Sequence, residues 1–320
     1  MRHRGERTDI DAAPSAVGET AAVCDLLCAR PPATGGPTLF AKNSDRPPSE
    51  RQVVEWSPAR IDPGVTRATH VSLPSASGAT LGVLGCRPAW GWGYEHGVNE
   101  AGVAAGNATI YTTLDPRPFP DALTGMDLVR LVLERAATAD EAVSLVAELL
   151  AAVGQGGSGH EGERRPYWSS LLIADPQRAY VVETSGSDAA VEEVEDVRAI
   201  SNRTTIPGFT AEVAHPRQPV ATLVQPRLDA SRALLAERPV TVERLQAHLR
   251  SHVGGDDGWT VCMHVEEPGH EEATTASFVA ELPISGPPVA HVLIGHPCQQ
   301  AYQRVEVGAA NGRETVTVLG

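Results

Sequence analysis

The stretch Cys24-Asp25-Leu26-Leu27-Cys28-Ala29-Arg30, then PPATGGP at 31–37, then Thr38-Leu39-Phe40-Ala41-Lys42-Asn43-Ser44-Asp45-Arg46, decides how this chain folds and where its chemistry sits. Residues 24–30 are strand-like, 31–37 carry turn chemistry, and 38–42 are apolar and extended, which predicts a β-hairpin. Folding the hairpin about Thr34 and Gly35 pairs residues whose numbers sum to 69, setting Cys24 beside Asp45 with Lys42 and Asn43 close by. A thiol next to a cation and a hydrogen-bonding carboxylate is an arrangement that makes cysteine a nucleophile.

Such a thiol needs a base. No histidine lies near Cys24 in sequence, so a Cys–His pair would have to recruit one of the 11 distant histidines. The alternative is the cysteine's own α-amine, whose ordinary pKa of roughly 7.7–8.0 suits a general base at neutral pH. That option requires Cys24 to begin the mature chain. Residues 1–23 (MRHRGERTDIDAAPSAVGETAAV) are polar and charged, with neither a signal-peptide core nor an amphipathic period. They are expected to be a removable propeptide, cleaved at Val23-Cys24, or an extension from a misassigned start in which Val23 is the initiator. Residues 24–320 are expected to form one domain.

Composition sets outer bounds. A chain of 320 residues with 42% hydrophobic and 21% charged content is ordinary for a soluble globular protein. A net charge of −14 argues against nucleic acid or an anionic membrane as partner; the expected partner is a small peptide or amide substrate, and a homo-oligomer stays open. Five cysteines are too few, and odd in number, for a disulfide framework, which favours a reducing, cytoplasmic location.

Further along, 52–56 and 80–85 suit strands, and RPAWGWGYEHGVNEAGVAAG at 87–106 is rich in Gly and Trp. Helical spacing runs through 123–136. A second helix opens at Thr138 with Glu141 as its capping-box partner, and Gly154 suits its end. Residues 169–184 read as a hairpin, 220–236 and 241–252 as helices, and 261–265, 275–282 and 289–294 as strands. Hairpins with paired helices predict antiparallel sheets covered by helix layers. Cys24 and Cys28 are not a metal pair, because four residues of strand span roughly 13 Å. His264 and His270 fit no zinc spacing and read as exposed, while Cys28, Cys86, Cys262 and Cys298 read as packing residues.

Several motifs together resemble the secernin family: Cys24-Asp25, AKNSDRP at 41–47, RPAWGWG at 87–93, GVNEAGVAAGN at 97–107, GMDLVRLVLERA at 125–136, GQGG at 154–157, ISNRTTI at 200–206 and TTAS at 274–277. Secernins belong with dipeptidase-type cysteine N-terminal-nucleophile (Ntn) hydrolases, relatives of choloylglycine hydrolase and penicillin V acylase. The resemblance implies an α+β, four-layer αββα sandwich of two antiparallel sheets flanked by helices. It implies Cys24 as nucleophile, with its freed α-amine as base. Asp45 would hydrogen-bond near both groups, and Lys42 would stand where relatives carry an arginine. Asn202 and Asn107 would bind the tetrahedral oxyanion, with Arg46, Trp92 and Asn43 around the substrate. The distal arginine of the choloylglycine enzymes has no counterpart that the sequence places. The implied reaction is hydrolysis of a dipeptide or other small amide through an acyl-enzyme, with no metal and no organic cofactor. An acyl-amide hydrolase, an acyltransferase and a non-catalytic adaptor remain alternatives.

Overall fold

A computed structural model describes residues 24–308 except 62–63, 76–77, 163, 216–221 and 268–269. The segment 1–23, expected to be removable, and residues 309–320 lie outside the described residues.

Two large antiparallel sheets face each other. In the first, the strands run in the order β12 (Val197–Ile200), β1 (Cys24–Ala29), β2 (Thr38–Arg46), β14 (His270–Leu282), β15 (Val289–Ile294), β16 (Gln303–Glu306), with β13 (His264–Glu267) also paired to β14. In the second, the order is β11 (Asp188–Glu193), β10 (Ala179–Ser185), β9 (Trp168–Ala174), β8 (Ala104–Ile110), β7 (His96–Asn99), β6 (Val83–Pro88), β3 (Gln52–Ser57). A small hairpin of β4 (Val65–Arg67) and β5 (Ser72–Pro74) stands apart from both. Helices α2 (Gly125–Arg135) and α3 (Ala139–Ala152) cover the outer face of the second sheet. Helices α5 (Gln225–Ala236) and α6 (Val242–Leu249) cover the first. Two short helices, α1 (Pro31–Thr34) and α4 (Pro207–Val213), lie in connections. The layers are αββα. No helix among the described residues is long and apolar enough to cross a membrane.

Period-two alternation explains why β1 reads as a continuous apolar run. Cys24, Leu26 and Cys28 join Phe40 and Phe278 in the core between the sheets, while Leu27 and Ala29 join Leu228, Leu245 and Leu249 under the helices. Each fully buried Leu or Phe is worth about 1.5–3 kcal/mol. A strand buried on both faces cannot show the apolar–polar alternation of a half-exposed one.

The hairpin forms, but its register differs from the expected one. Cys24 pairs with Ser44 and Leu26 with Lys42, so paired numbers sum to 68. The connection is not a two-residue turn. Pro31–Thr34 makes a single helical turn, closed by the Gly35 N–H on the Pro31 carbonyl, with Gly35 left-handed at φ 66°. This moves the hairpin axis onto Thr34. Because side chains alternate, one residue of slip exchanges faces. Ser44 stands beside Cys24 between the sheets, and the Asp45 side chain points into the helix layer.

Other boundaries moved less. The strand expected at 80–85 is Val83–Pro88, and the one expected at 261–265 begins at His264. At α3, Thr138 caps the Glu141 N–H, but the Glu141 carboxylate accepts from Ala137, so the box is half-formed. The complete box is at α2, where Thr124 and Asp127 cap each other reciprocally.

Candidate active site

Strand β2 carries five consecutive polar residues, Lys42 to Arg46, and all are buried. Burying such groups costs free energy unless each finds partners. Their partners divide by face, and that division builds the site.

Between the sheets, the Lys42 ammonium donates to the carbonyls of Glu95 (2.8 Å) and Asn107 (2.5 Å), tying β2 to the facing sheet. Ser44 Oγ lies 3.2 Å from His96 Nδ1, and burial holds that imidazole well below its ordinary pKa, with Lys42 adding to the effect. The Arg46 guanidinium binds Glu95 (2.7 Å), Glu50 (2.6 Å) and the Gly159 carbonyl (3.0 Å). Cys24 stands on this same face. Burial pushes its thiol up to about 11, opposed by the Lys42 charge and by a hydrogen bond from the Asp45 backbone N–H.

On the helix side, Asp45 accepts from Thr274 Oγ1 at 2.6 Å and meets Arg227 at 3.4 Å. Arg227, itself fully buried, also pairs with Asp25 at 3.1 Å. Burial pushes the Asp45 carboxyl up to about 8 against the pull of Arg227, with the Asp25 carboxylate adding to the rise. Asn43 gives both amide protons to the carbonyls of Leu249 (2.9 Å) and Val261 (2.8 Å). Its carbonyl oxygen accepts from Ser277 at 2.6 Å.

The residues just beyond β12 grip the main chain of Cys24. The Cys24 nitrogen donates to Asn202 Oδ1 at 2.7 Å, Ser201 Oγ donates to the Cys24 carbonyl at 3.0 Å, and Asn202 Nδ2 donates to the Thr109 carbonyl at 2.9 Å. Beyond its last pair with β7 (His96 with Gly106), β8 presents this edge to Asn202 and Lys42. Gly106 allows close approach there, since a Cβ would lie 2.9 Å from Leu26 Cδ2 and force that side chain to shift. The Asn107 amide accordingly lies on the α2 side, where a Cβ on Gly125 would come within 2.8 Å of its Nδ2.

A narrow crevice opens onto the thiol. Cys24, Arg46, Glu95, Asn107, Thr109, Met126, Gly159, His160 and Tyr167 line it. Of the residues named from sequence, Cys24, Lys42, Asn107, Asn202 and Arg46 meet at or beside this crevice. Asp45 hydrogen-bonds the thiol through its backbone N–H, and its carboxylate acts on the thiol only through space. Asn43 and Trp92 are not brought to it. Asn43 is turned to the helix layer by strand parity. Trp92 lies over the second sheet's helices with Arg130 stacked 4.5 Å from its ring. Crevice residues not named from sequence are Glu95, Thr109, Met126, Gly159, His160 and Tyr167, and Arg227 lies behind them against Asp45. Arg227 had a legible signal, because it sits in the buried stripe of α5 with Leu228, Ser231 and Leu235.

No protein-family model matches the chain. Among solved structures it is similar to the conjugated bile acid hydrolase of Clostridium perfringens. One structure of that enzyme matches at 14% identity and TM-score 0.59, covering 92% of this chain and 96% of that one. Another matches at 13% and 0.59, covering 93% and 97%. Penicillin V acylase from Agrobacterium tumefaciens matches at 14% identity and TM-score 0.55, covering 88% of this chain and 86% of that one. The likeness is one of fold. The chain has the four-layer αββα sandwich of the Ntn hydrolases.

Proposed function

We propose that the chain is a cysteine Ntn amide hydrolase acting on a dipeptide or another small amide, as the secernin resemblance suggests. The observation that carries this reading is the treatment of one residue: the main-chain nitrogen of Cys24 is held at 2.7 Å by Asn202, at the crevice its thiol lines. An amine at that position, exposed by removal of residues 1–23, takes the thiol proton. The thiolate attacks the substrate carbonyl, and the Lys42 charge offsets part of the burial that opposes it. Asn202 Nδ2 and a donor on the β8 edge at Asn107–Thr109 hold the oxyanion. The protonated amine then donates to the leaving nitrogen, and water, activated by the same amine, releases the acyl group. Arg46 borders the substrate, but Glu50 and Glu95 already balance its charge.

A second reading takes His160, which lines the same crevice, as base. Intact mass and N-terminal sequencing, combined with the pH dependence of Cys24 alkylation, separate the two. A chain beginning at Cys24 whose alkylation turns on near pH ~7.7–8.0 supports the amine. A chain retaining residues 1–23, whose alkylation falls on His160→Gln, supports the histidine. Turnover of dipeptides, penicillin V and bile-salt amides, abolished in Cys24→Ala with the fold intact, tests hydrolysis. Added amine acceptors reveal an acyltransferase, and no turnover by the processed chain would favour an adaptor.

A further inference from the structure

Away from the crevice, the structure gathers four side chains that the sequence keeps apart. His252 follows α6, Cys262 and His264 stand at the entrance to β13, and Cys298 lies in the turn after β15. One donor atom from each, two sulfurs and two imidazole nitrogens, lies within 4.8 Å of all the others. From sequence, Cys262 and Cys298 read as packing residues, and His264 reads as exposed because its spacing to His270 fits no zinc signature. Topology brings them together: β14 pairs with both β13 and β15, so the start of one and the turn beyond the other meet.

We propose that His252, Cys262, His264 and Cys298 form a tetrahedral, structural Zn²⁺ site. Zinc binds Cys sulfur at about 2.3 Å and His nitrogen at about 2.0–2.1 Å, so tetrahedral geometry puts sulfur and nitrogen ligands roughly 3.5 Å apart. His264 Nε2 lies 3.4 Å from Cys262 Sγ and 3.3 Å from Cys298 Sγ, which fits with little rearrangement. The donor set matches the metal. Two thiolates and two neutral imidazoles around Zn²⁺ leave no net charge in a partly buried place, and binding releases two thiol protons to solvent. His252 is exposed, so the ion has an entry path. Four protein ligands leave no open position, which marks the site as structural rather than catalytic.

The clamp has something to hold. Residues 250–263 form no regular secondary structure, yet Val261 supplies a carbonyl to Asn43, and the Met263 N–H binds Thr274 Oγ1, which in turn donates to Asp45. Metal at the cluster would fix the loop that supports β2 beneath the nucleophile.

The test is the metal content of the full-length protein, purified from zinc-supplemented cells, beside Cys298→Ser and His252→Ala. The expected result is one zinc per chain in the parent and background levels in both variants. Reconstitution of the parent with Co²⁺ should show thiolate-to-cobalt charge transfer in the near ultraviolet, a readout that does not depend on how the variants fold. Chelation should lower the melting temperature of the parent and leave that of Cys298→Ser unmoved. Zinc retained equally by parent and variants, or no zinc and no cobalt charge transfer with all thiols titrating as free, would overturn the proposal. So would a non-reduced mass two hydrogens short, with a Cys262–Cys298 disulfide located by peptide mapping.

Discussion

Replacing Arg227 with Met tests the electrostatic frame beneath Cys24. The guanidinium is fully buried and lies 3.1 Å from Asp25 and 3.4 Å from Asp45, so it is one cation between two carboxyls. Met fills much of the volume and removes the charge, leaving the two carboxyls facing each other. Breaking a buried pair from one side typically costs about 3–5 kcal/mol. The cost must depend on pH. Burial already raises the folded-state pKa of Asp45 to about 8, so its stabilising contribution is complete below its unfolded value near 3.8 and is lost as pH rises through 8. Arg227 is the main influence pulling that value down. Without it, the folded pKa climbs further, and the variant keeps losing stability above pH 8 where the parent levels off. Urea unfolding at pH 6 and pH 9 should therefore show a deficit that is larger at pH 9, reaching about 3–5 kcal/mol. Adding Asp45→Asn to Arg227→Met should recover part of it, most at pH 9. A deficit below about 1 kcal/mol, or one equal at both pH values, would refute the reasoning.

Three further outcomes follow from the same packing. Burial raises Glu272 from 4.5 to about 8, so its contribution to stability declines as pH rises between those values. The decline is on the order of 4–5 kcal/mol at most. Glu272→Gln should flatten the fall in melting temperature between pH 5 and 9, and an unchanged slope would contradict the assignment. Asn202→Ala removes the acceptor of the Cys24 nitrogen and the proposed oxyanion donor, so kcat on any amide substrate should fall about 10²–10³-fold with KM little changed. Asn43→Ala leaves the Leu249 and Val261 carbonyls without their donor, and should cost about 1–3 kcal/mol in denaturant unfolding while sparing kcat in the folded enzyme.

The sheets were legible because their central strands are buried on both faces and bounded by Pro and Gly. The long helices were legible through spacing and Thr caps. What the sequence could not settle was parity. Whether the 31–37 connection turns about Thr34 and Gly35 or about Thr34 alone depends on the helical turn of Pro31–Thr34, and that single residue decides which side chains of β2 meet the thiol. The expected register and the family resemblance put Asp45 in the site with Asn43 close by, and the observed alternation of the strand sends both side chains to the helix layer. His160 and Arg227 were missed for a different reason. They approach Cys24 and Asp45 from sequence distances that no local pattern encodes, although an arginine inside the buried stripe of α5 was itself a signal.

The thiol's surroundings constrain where its proton can go. Burial dominates and drives the Cys24 thiol up to about 11, while Asp45 and Glu95 raise it further and only Lys42 and one backbone N–H oppose them. An environment of this kind does not produce a standing thiolate at neutral pH, unlike sites where a helix N-terminus or an imidazolium depresses the thiol. For the proposed reaction the proton would have to move during turnover, to a base within reach of the sulfur. His96 is a poor acceptor, because burial and Lys42 hold its pKa far below neutrality and Ser44 occupies its Nδ1. The α-amine of Cys24 would be attached to the same residue as the sulfur, and the Asn202 contact would aim its remaining proton-binding capacity away from Oδ1. In the proposed mechanism the polar layer between the sheets would supply position and counter-charge, and basicity would arrive with the removal of the peptide bond before Cys24.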